Sequence, residues 1–169
     1  MKKSKQNNYA FIDSQNLHLS VKEQGWSLDY SRFRVYLKDK YQASKVFLFI
    51  GYVVGNEALY TMFQKAGYIV IFKPTLEIKK GKKYEVKGNV DAELVLHTMI
   101  EWPNFDKAII VSGDGDFHCL IEYLEQKKKI LKLVAPTRKS FSSLLRKFGQ
   151  YVVFVEDLKK KLKKTSARY

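Results

Sequence analysis

The sequence of 169 residues contains a single cysteine, Cys119. A disulfide bond within the chain is therefore excluded, as is a zinc or iron–sulfur site built from several cysteines. The three histidines, His18, His97 and His118, are far apart in the sequence and form no ligand cluster either. Because proteins of reducing compartments rarely carry disulfide bonds, this composition predicts a cytoplasmic location.

Long hydrophobic runs are also missing. Residues 46–50 form one of the longest apolar segments, which has the length of a strand and is far below the ~20 residues that span a bilayer. Near the start of the chain, residues 9–12 are apolar, but Asp13 ends this segment and leaves it too short for a secretory signal. The sequence thus predicts neither secretion nor a membrane partner.

Acidic residues are scarce: 17 Asp and Glu stand against 31 Lys and Arg, for a formal net charge of +14. Such an excess of positive charge favours a polyanionic partner, and nucleic acid before membrane. Hydrophobic residues make up 46% of the chain and aromatic residues 14%, which is enough to build a core. The length predicts one domain, residues 9–157, between a disordered N-terminal segment, 1–8, and a basic C-terminal tail, 158–169.

Short apolar segments alternate with segments of helical periodicity along the domain. The predicted strands cover residues 9–12, 46–50, 68–72, 108–111, 130–134 and 151–155. Apolar residues recur between them at the spacing of a helix, for example at Leu120, Ile121 and Leu124, and again at Phe141, Leu144 and Leu145. This alternation is typical of a parallel sheet that helices cover on both faces.

Residues 75–87 interrupt the alternation with a basic segment. Alternating apolar residues flank a run of lysines and one glycine, a pattern that fits a β-hairpin or a loop with a basic tip. The lysines around this tip are Lys79, Lys80, Lys82 and Lys83. In one interpretation they contact a nucleic-acid substrate, and in the other they only keep a solvated turn soluble.

Three of the eight aspartates directly follow two of the predicted strands. Asp13 comes after residues 9–12, and Asp114 and Asp116 come after residues 108–111. In an open α/β sheet, ligands bind at the carboxyl edge of the strands, most often where the strand order reverses, which is commonly between the first and fourth strands. If the hairpin is set aside, residues 108–111 are the fourth strand. Chain topology therefore predicts that these three carboxylates lie together.

A fourth carboxylate belongs to the segment KGNVDAELVLHTM. Asn89 is a predicted N-cap, and Asp91 falls in the first turn of the helix that follows. By its spacing, Asp91 shares the apolar, sheet-facing side of this helix with Leu94 and Thr98. The alternative is that Asp91 only complements the helix dipole. The carboxylates expected at the same edge of the sheet favour the site.

Carboxylates gathered within a few ångströms repel one another unless a cation lies between them. Because the ligands are oxygens and no cysteine or histidine cluster exists in the sequence, the predicted cation is Mg²⁺ or Mn²⁺ rather than zinc. Such an ion positions a water molecule, makes it more acidic and neutralises charge that develops on a phosphodiester. An acidic pocket within a basic exterior suits a nuclease, whereas the phosphate-binding motifs of P-loop and dinucleotide-binding proteins are missing from the sequence.

Three segments together, FIDSQN, KGNVDAELVLHTM and VSGDGDF, resemble the three motifs of NYN domains, the LabA-like branch of the PIN-domain-like nuclease superfamily. The resemblance extends from about residue 9 to residue 155, and no motif residue is missing. It implies a Rossmann-like, three-layer α/β/α sandwich with a central, mainly parallel sheet. It also implies an endoribonuclease site that depends on Mg²⁺ or Mn²⁺.

The resemblance implies roles for individual residues as well. The acidic metal-binding positions of the family correspond to Asp13, Asp91, Asp114 and Asp116. Asn16 matches the motif asparagine, whose amide would hold a water molecule or a neighbouring carboxylate. Ser112 matches a small hydroxyl residue expected to assist ligand placement, and Lys87 lies at a basic position that suits a phosphate contact.

The sequence therefore predicts a metal-dependent endoribonuclease, and its predicted catalytic residues are Asp13, Asn16, Asp91, Asp114 and Asp116. RNA is preferred to DNA as the predicted substrate, and the oligomeric state, a homodimer included, stays open. The alternative is a PIN-like module that binds RNA or a protein partner with little turnover. It would use the basic residues in segments 79–83 and 127–132 and would not need the aspartates.

Overall fold

The computed structural model describes residues 6–74, 76–80, 83–87 and 89–165. The strands are β1 Asn8–Asp13, β2 Ala43–Gly51, β3 Ile69–Lys73, β4 Leu76–Lys80, β5 Lys83–Lys87, β6 Ala108–Val111, β7 Ile130–Ala135 and β8 Val152–Phe154. The α-helices are α1 Ser14–Glu23, α2 Tyr30–Tyr41, α3 Glu57–Lys65, α4 Asp91–Ile100, α5 His118–Gln126 and α6 Lys159–Leu162. Short 3₁₀ helices cover Trp102–Asn104, Gly115–Phe117, Ser143–Tyr151 and Val155–Leu158. None of the helices within the described ranges has the length and apolar character that a membrane-spanning segment requires.

Six strands form one parallel sheet in the order β3-β2-β1-β6-β7-β8. The chain adds β2 and β3 on one side of β1 and then crosses over to add β6, β7 and β8 on the other. Within β1, Phe11 lies opposite Phe47 of β2 and Ile110 of β6. The strand order therefore reverses beside β1, and the predicted pairing of the first strand with residues 108–111 is confirmed.

Helices cover both faces of this sheet. Because side chains alternate along a strand, Ala10 and Ile12 of β1 belong to the core beneath α1, α2 and α3. The neighbouring residues Tyr9 and Phe11 belong to a second core, beneath α4 and α5. Phe11 and Ile12 are both fully buried. The predicted three-layer α/β/α sandwich is confirmed.

Some observed boundaries differ from the predicted ones. β2 begins at Ala43 rather than at residue 46, and β8 ends at Phe154. The periodic segment near residues 141–148 forms a 3₁₀ helix, Ser143–Tyr151, in which Leu145 and Phe148 are buried. An apolar pattern alone does not separate a short 3₁₀ helix from an α-helix, because both bury residues three positions apart.

The basic segment predicted at residues 75–87 is a hairpin. β4 and β5 pair in antiparallel fashion in a separate two-stranded sheet, with Leu76 opposite Lys87 and Lys80 opposite Lys83. This hairpin follows β3 and precedes α4, so it emerges from the carboxyl edge of the parallel sheet. Lys82 lies outside the described residues.

Both ends of the described chain are attached to the domain. The backbone N–H of Asn7 donates to the Asp106 carboxylate at 2.8 Å, and Asn8 is fully buried in β1. The predicted disorder of residues 1–8 therefore does not extend to residues 6–8, because their polar groups find hydrogen-bond partners in the fold; residues 1–5 lie outside the described residues. In the basic tail, α6 buries Leu162 in the core, and its carbonyl oxygen accepts from the backbone N–H of Asp29 at 2.7 Å. Residues 166–169 lie outside the described residues.

Candidate metal centre

Asp13, the last residue of β1, is both a strand end and a helix cap. Its carboxylate accepts a hydrogen bond from the backbone N–H of Asn16 at 3.1 Å and thereby caps α1. Alternation along β1 directs Asp13 to the side of Phe11, which α4 and α5 cover. Only 5% of the residue is exposed. The strand-to-helix junction thus places one nearly buried carboxylate at the carboxyl edge of the sheet.

The loop after β6 brings two further carboxylates to this edge. Asp114 caps the 3₁₀ helix Gly115–Phe117 by accepting from the backbone N–H of Asp116 at 3.0 Å. The backbone N–H of Asp114 donates to the hydroxyl oxygen of Ser112 at 3.1 Å, and this hydroxyl donates to Asp13 at 3.3 Å. Because Ser112 is 1% exposed, it joins the two sequence motifs from inside the protein.

Asn16 provides a second link between the same motifs. Its side-chain oxygen accepts from the backbone N–H of Gly113 at 2.9 Å. The family resemblance implies that this amide holds a water molecule or a carboxylate, and that role stays a prediction; the side-chain oxygen holds the backbone of the loop after β6. The two links leave little freedom between the end of β1 and this loop.

The loop after β6 also packs against residues that precede the 3₁₀ helix Ser143–Tyr151. A β-carbon on Gly115 would collide with the hydroxyl oxygen of Ser142, and one on Gly113 would lie 3.2 Å from the carbonyl oxygen of Ser140. The backbone N–H of Ser142 donates to the Gly113 carbonyl oxygen at 3.0 Å. Nothing in the sequence pattern indicated a role for Ser142, because it lies in a distant segment and contacts the site only after folding.

Asp91 is the first residue of α4, in agreement with its predicted place in the first turn. The prediction of Asn89 as the N-cap is wrong by one residue, because Val90 occupies that position. The Asn89 side-chain oxygen instead accepts from the backbone N–H of Asp91 at 2.8 Å, in a bond that spans two residues, as in an Asx-turn. This turn fixes the start of α4 beside the loop after β6.

Three carboxylates converge where these elements meet. One oxygen each of Asp91, Asp114 and Asp116 lies within 4.8 Å of the other two, and we call these three residues the acidic cluster. Asp91 and Asp114 are half-buried and Asp116 is exposed, so solvent reaches the cluster from one side. Asp13 lies behind it, more deeply buried and linked to it through Ser112. All four predicted acidic residues are therefore neighbours.

The protein alone accommodates this much negative charge poorly. The pKa of Asp13 is raised to about 6, first by burial and then by the charges of Asp91 and Asp114, against the lowering effect of its hydrogen bonds. Burial, together with the charges of Asp114 and Asp116, also raises the pKa of Asp91. A cation bound among these groups would relieve the repulsion and stabilise their ionised forms.

The donor set fits a hard divalent cation. Metal–oxygen bonds of about 2.1 Å for Mg²⁺ and up to about 2.6 Å for larger hard cations place oxygens on opposite sides of one ion about 4.2 to 5.2 Å apart. The oxygens of the acidic cluster, all within 4.8 Å of one another, have a spacing of this order. Oxygen ligands without a thiolate or imidazole are those that hard cations prefer. The acidic cluster therefore has the composition and the dimensions of a divalent metal site.

Sequence reasoning missed Lys73, the last residue of β3. Its ammonium group lies 3.2 Å from the Glu93 carboxylate and donates to the carbonyl oxygen of Asn89. The charge of Lys73 also opposes the rise in the pKa of Asp91. A signal was present in the sequence, because Lys73 ends a parallel strand at the same edge as Asp13. Lys73 anchors the start of α4 and adds a cation beside the acidic cluster.

The lysines predicted to bind substrate are not part of the acidic cluster. The backbone places Lys79, Lys80 and Lys83 in the two hairpin strands, and Lys87 at the end of β5, shortly before Asp91. The hairpin emerges from the same edge of the sheet as the acidic cluster. The backbone that carries these lysines is thus joined to the edge of the sheet where the acidic cluster lies, and their substrate contacts stay a prediction.

The second basic segment, residues 127–132, lies elsewhere. It spans the entry to β7, at the amino edge of the sheet and opposite the acidic cluster. Lys129 donates to the carbonyl oxygens of Trp102 and Phe105 at 2.7 and 2.6 Å, and its ammonium group lies over both rings. Lys129 thus stabilises the core, and this segment is separated from the site by the length of the strands.

Comparisons with known proteins agree with this architecture. The NYN domain model matches residues 9–156. The chain is similar to the low amplitude and bright protein LabA of Synechococcus elongatus, with 25% identity over 162 residues, which cover 92% of this chain and 87% of that protein. It is also similar to a crystal structure of a protein of unknown function from Vibrio parahaemolyticus, with a TM-score of 0.77, 21% identity, and coverage of 97% of this chain and 100% of the other. The structural likeness confirms the fold.

Proposed function

The chain belongs to the NYN domain family, and from its acidic cluster we propose that it is a metal-dependent endoribonuclease that hydrolyses RNA phosphodiester bonds. The observation that carries this proposal is the convergence of three carboxylates within 4.8 Å at the point where the strand order reverses. These acids occur in a chain whose net charge is +14. A basic exterior attracts the phosphate backbone, and an acidic pocket that binds a cation provides the site of cleavage.

In this proposal Asp91, Asp114 and Asp116 hold Mg²⁺ or Mn²⁺ through their oxygens, and Asp13 adds negative charge from behind them. When bound, the cation neutralises charge on the phosphodiester and makes the attacking water more acidic. The half-buried position of Asp91 and Asp114 strengthens their attraction for a cation, because solvent screens their charges less. Lys73 limits the repulsion among the carboxylates before the cation arrives.

Ser112 and Asn16 act by positioning the carboxylates. The hydroxyl of Ser112 is buried between Asp13 and the backbone of Asp114, so it has no access to a substrate, and we assign it a positioning role. Asn16 holds the backbone of Gly113 in the same loop. Productive sites require ligand positions defined within about 0.5 Å, and these buried hydrogen bonds restrict the carboxylates accordingly.

The phosphate backbone is proposed to approach along the hairpin. Its proposed contacts are Lys79, Lys80, Lys82, Lys83 and Lys87. This proposal is supported by the position of the hairpin, which begins and ends at the edge of the sheet where the acidic cluster lies. Lysine side chains near phosphates release counterions, which favours binding of a nucleic acid of any sequence. The preference for RNA over DNA rests on the family resemblance.

The test is a cleavage assay with end-labelled single-stranded RNA and DNA in Mn²⁺, Mg²⁺ or EDTA. We expect internal cleavage of RNA with a metal present and none in EDTA. Asp114→Asn keeps the volume of the side chain and an oxygen that can cap the 3₁₀ helix, but it removes a charge. Its cleavage rate should fall at least about 100-fold. Asp39→Asn is the matched control, because Asp39 is exposed near the end of α2, away from the carboxyl edge.

Two outcomes would contradict this proposal. Equal cleavage rates for Asp114→Asn and the parent protein, after contaminating nuclease is excluded, would show that the acidic cluster is not the active site. RNA binding by the parent protein without cleavage in any metal would favour the alternative, a module that binds RNA or a protein partner. In that case Asp114→Asn should bind RNA in EDTA at least as tightly as the parent protein, since it removes a negative charge from the path of the phosphates.

A further inference from the structure

A cleft of about 740 Å³ lies between α1, α2 and α3, beside the carboxyl end of β2. Residues that line it include Gln15 and His18 from α1, Tyr30 and Ser31 from α2, and Tyr60 and Phe63 from α3. Neither Asp13 nor any member of the acidic cluster contributes to this lining. The cleft is therefore distinct from the candidate metal centre, and the proposed cleavage chemistry does not use it.

The cleft and the candidate metal centre are nevertheless neighbours. Ser14 lines the cleft and directly follows Asp13 in the sequence. Ile50 and Gly51, which end β2 next to β1, also line it. The two sites thus lie at the carboxyl edge of the same sheet, the cleft on the face that α1, α2 and α3 cover and the acidic cluster on the side of α4 and α5. A strand that leaves the acidic cluster across this edge of the sheet, over the start of α1, would reach the cleft.

Aromatic side chains of the cleft are held in place by the fold. The rings of Tyr30 and Phe63 meet edge to face, with their centroids 4.9 Å apart. The Tyr60 hydroxyl accepts from the backbone N–H of Val53 at 2.8 Å, which fixes a third ring. Because Tyr60 and Phe63 are 5% and 2% exposed and belong to the core, they form a rigid apolar wall against which a planar ligand packs, rather than open faces for stacking.

The polar groups of the cleft are mainly uncharged. They include the amides of Gln15 and Asn56 and the hydroxyls of Ser14, Ser27 and Ser31. The lining carboxylate, Asp29, already caps α2 by accepting from the backbone N–H of Arg32 at 3.0 Å, and its other oxygen lies 3.5 Å from the Arg32 side chain. His18 and Lys164 are the basic residues of the lining and suit a flanking phosphate. Uncharged amides and hydroxyls can both donate and accept hydrogen bonds. They therefore suit a heterocyclic ligand that carries its own donors and acceptors better than a ligand with a free carboxylate.

We propose that this cleft binds an unpaired nucleobase of the RNA strand whose phosphodiester lies at the acidic cluster, an inference that rests on the proposed function. The volume is within the ~300–1,000 Å³ of small-molecule sites and accommodates a nucleoside. A base enters such a cleft, packs against its apolar wall and presents its edge to amides only when it is unpaired. The substrate is therefore single-stranded next to the scissile bond. One base held in the cleft is expected to contribute about tenfold to affinity.

The test uses a single-stranded RNA of about ten nucleotides, with 4-thiouridine at one position, irradiated with the full-length protein in EDTA. Cross-linked peptides are identified by mass spectrometry, and the thiouridine is moved along the strand. We expect one position to cross-link to peptides of α1 or α3 that line the cleft. Ser31→Phe fills the cleft with a ring and should abolish this cross-link and weaken binding of the single strand about tenfold. Its affinity for a duplex of the same sequence and for Mn²⁺ should stay unchanged.

Val35→Phe is the matched control, because Val35 is an exposed residue of α2 that does not line the cleft. Thermal unfolding of both variants verifies that they fold. Metal-dependent cleavage by the parent protein with cross-links confined to the hairpin would overturn the cleft proposal and leave the proposed function intact. A lack of metal-dependent cleavage would overturn the proposed function. The cross-linking needs no turnover, so it would still show whether a base binds in the cleft. Equal loss of affinity in both variants would also contradict a base in the cleft.

Discussion

The hydroxyl group of Ser112 donates a hydrogen bond to Asp13 at 3.3 Å, across 99 positions of sequence. The same hydroxyl accepts from the backbone N–H of Asp114 at 3.1 Å. One buried side chain therefore sets the distance between the end of β1 and the loop after β6. Removing it should disturb two candidate metal-binding segments at once.

Ser112→Ala is expected to lower both stability and metal affinity. The backbone N–H of Asp114 loses its acceptor in a partly buried position, which costs roughly 1–3 kcal/mol of the free energy of unfolding. Loss of a group that orients ligands lowers metal affinity by about 10–100-fold. Urea denaturation and Mn²⁺ titration measure the two effects. Ser20→Ala, at a buried serine of α1 outside the site, should leave the Mn²⁺ affinity unchanged; an equal loss there would contradict the role of Ser112.

Asp13→Asn should stabilise the metal-free protein at neutral pH. The pKa of Asp13 is about 6 in the folded protein and 3.8 without the effects of the fold, so the folded state binds more protons across this interval. The contribution of Asp13 to the free energy of unfolding therefore falls by roughly 3 kcal/mol between about pH 4 and pH 6. Asparagine keeps an acceptor for the backbone of Asn16 and removes the charge. Its Tm near neutral pH in EDTA should exceed that of the parent protein by about 5 °C or more.

The same variant distinguishes metal binding from simple burial of a charge. Mn²⁺ should raise the Tm of the parent protein, because a ligand that binds only the folded state stabilises it. Asp13→Asn should gain less from Mn²⁺, since the negative charge behind the acidic cluster is gone. Scans in EDTA and in Mn²⁺ measure this difference. Identical gains in both proteins would show that Asp13 takes no part in holding a cation.

Gly115→Ala should distort the acidic cluster without changing its charge. The new methyl group would overlap the Ser142 hydroxyl, so the loop that carries Asp114 and Asp116 must shift. Misplaced ligands should lower Mn²⁺ affinity by about 10-fold, and adding Ser142→Gly should restore part of it. Calorimetric titration of the single and double variants gives the comparison. Gly149→Ala, where a β-carbon meets open space, should bind Mn²⁺ like the parent protein.

Reversing the charge of the hairpin should flatten the salt dependence of RNA binding. If Lys79, Lys80 and Lys83 each contact a phosphate, replacing all three by glutamate reduces the log–log slope of affinity against salt by about 2. Fluorescence anisotropy in EDTA over a salt series measures the slope. Lys127→Glu with Lys128→Glu is the control, because both exposed residues lie at the opposite edge of the sheet. A flatter slope in the control alone would show that RNA binds at the opposite edge of the sheet. An unchanged slope in both proteins would show that the hairpin lysines do not contact RNA and serve solubility instead.

Much of the site could be predicted because its key acids end strands. Apolar segments of strand length located β1 and β6, and the usual reversal of strand order beside the first strand brought Asp13 and Asp114 together. The helix periodicity of α4 turned Asp91 toward the same edge. These inferences needed only the local pattern and a topological rule that holds for parallel sheets.

The prediction was less accurate where contacts between distant segments decide the structure. Asn89 was predicted to be the N-cap of α4, but Val90 occupies that position. The Asn89 side chain, one residue before the cap, forms a turn with the backbone N–H of Asp91. The side-chain oxygen of Asn16 holds the Gly113 backbone, a contact that the motif did not indicate, and its role toward a water molecule or carboxylate stays a prediction. In both cases the residue type was informative, and the partner of its side chain depended on the path of the neighbouring loop.

The sequence by itself determined the order of strands and helices, the basic charge and the four acids at the strand and helix ends, because these follow from local periodicity and from composition. Only the tertiary structure decided that Ser112 is buried between Asp13 and Asp114, that Ser142 closes against Gly115, and that an aromatic cleft opens beside the candidate metal centre. These contacts depend on how helices pack on the two faces of the sheet and on the register of loops far apart in the chain. Contacts of this kind produce no periodic pattern in the sequence, so the sequence alone does not predict them.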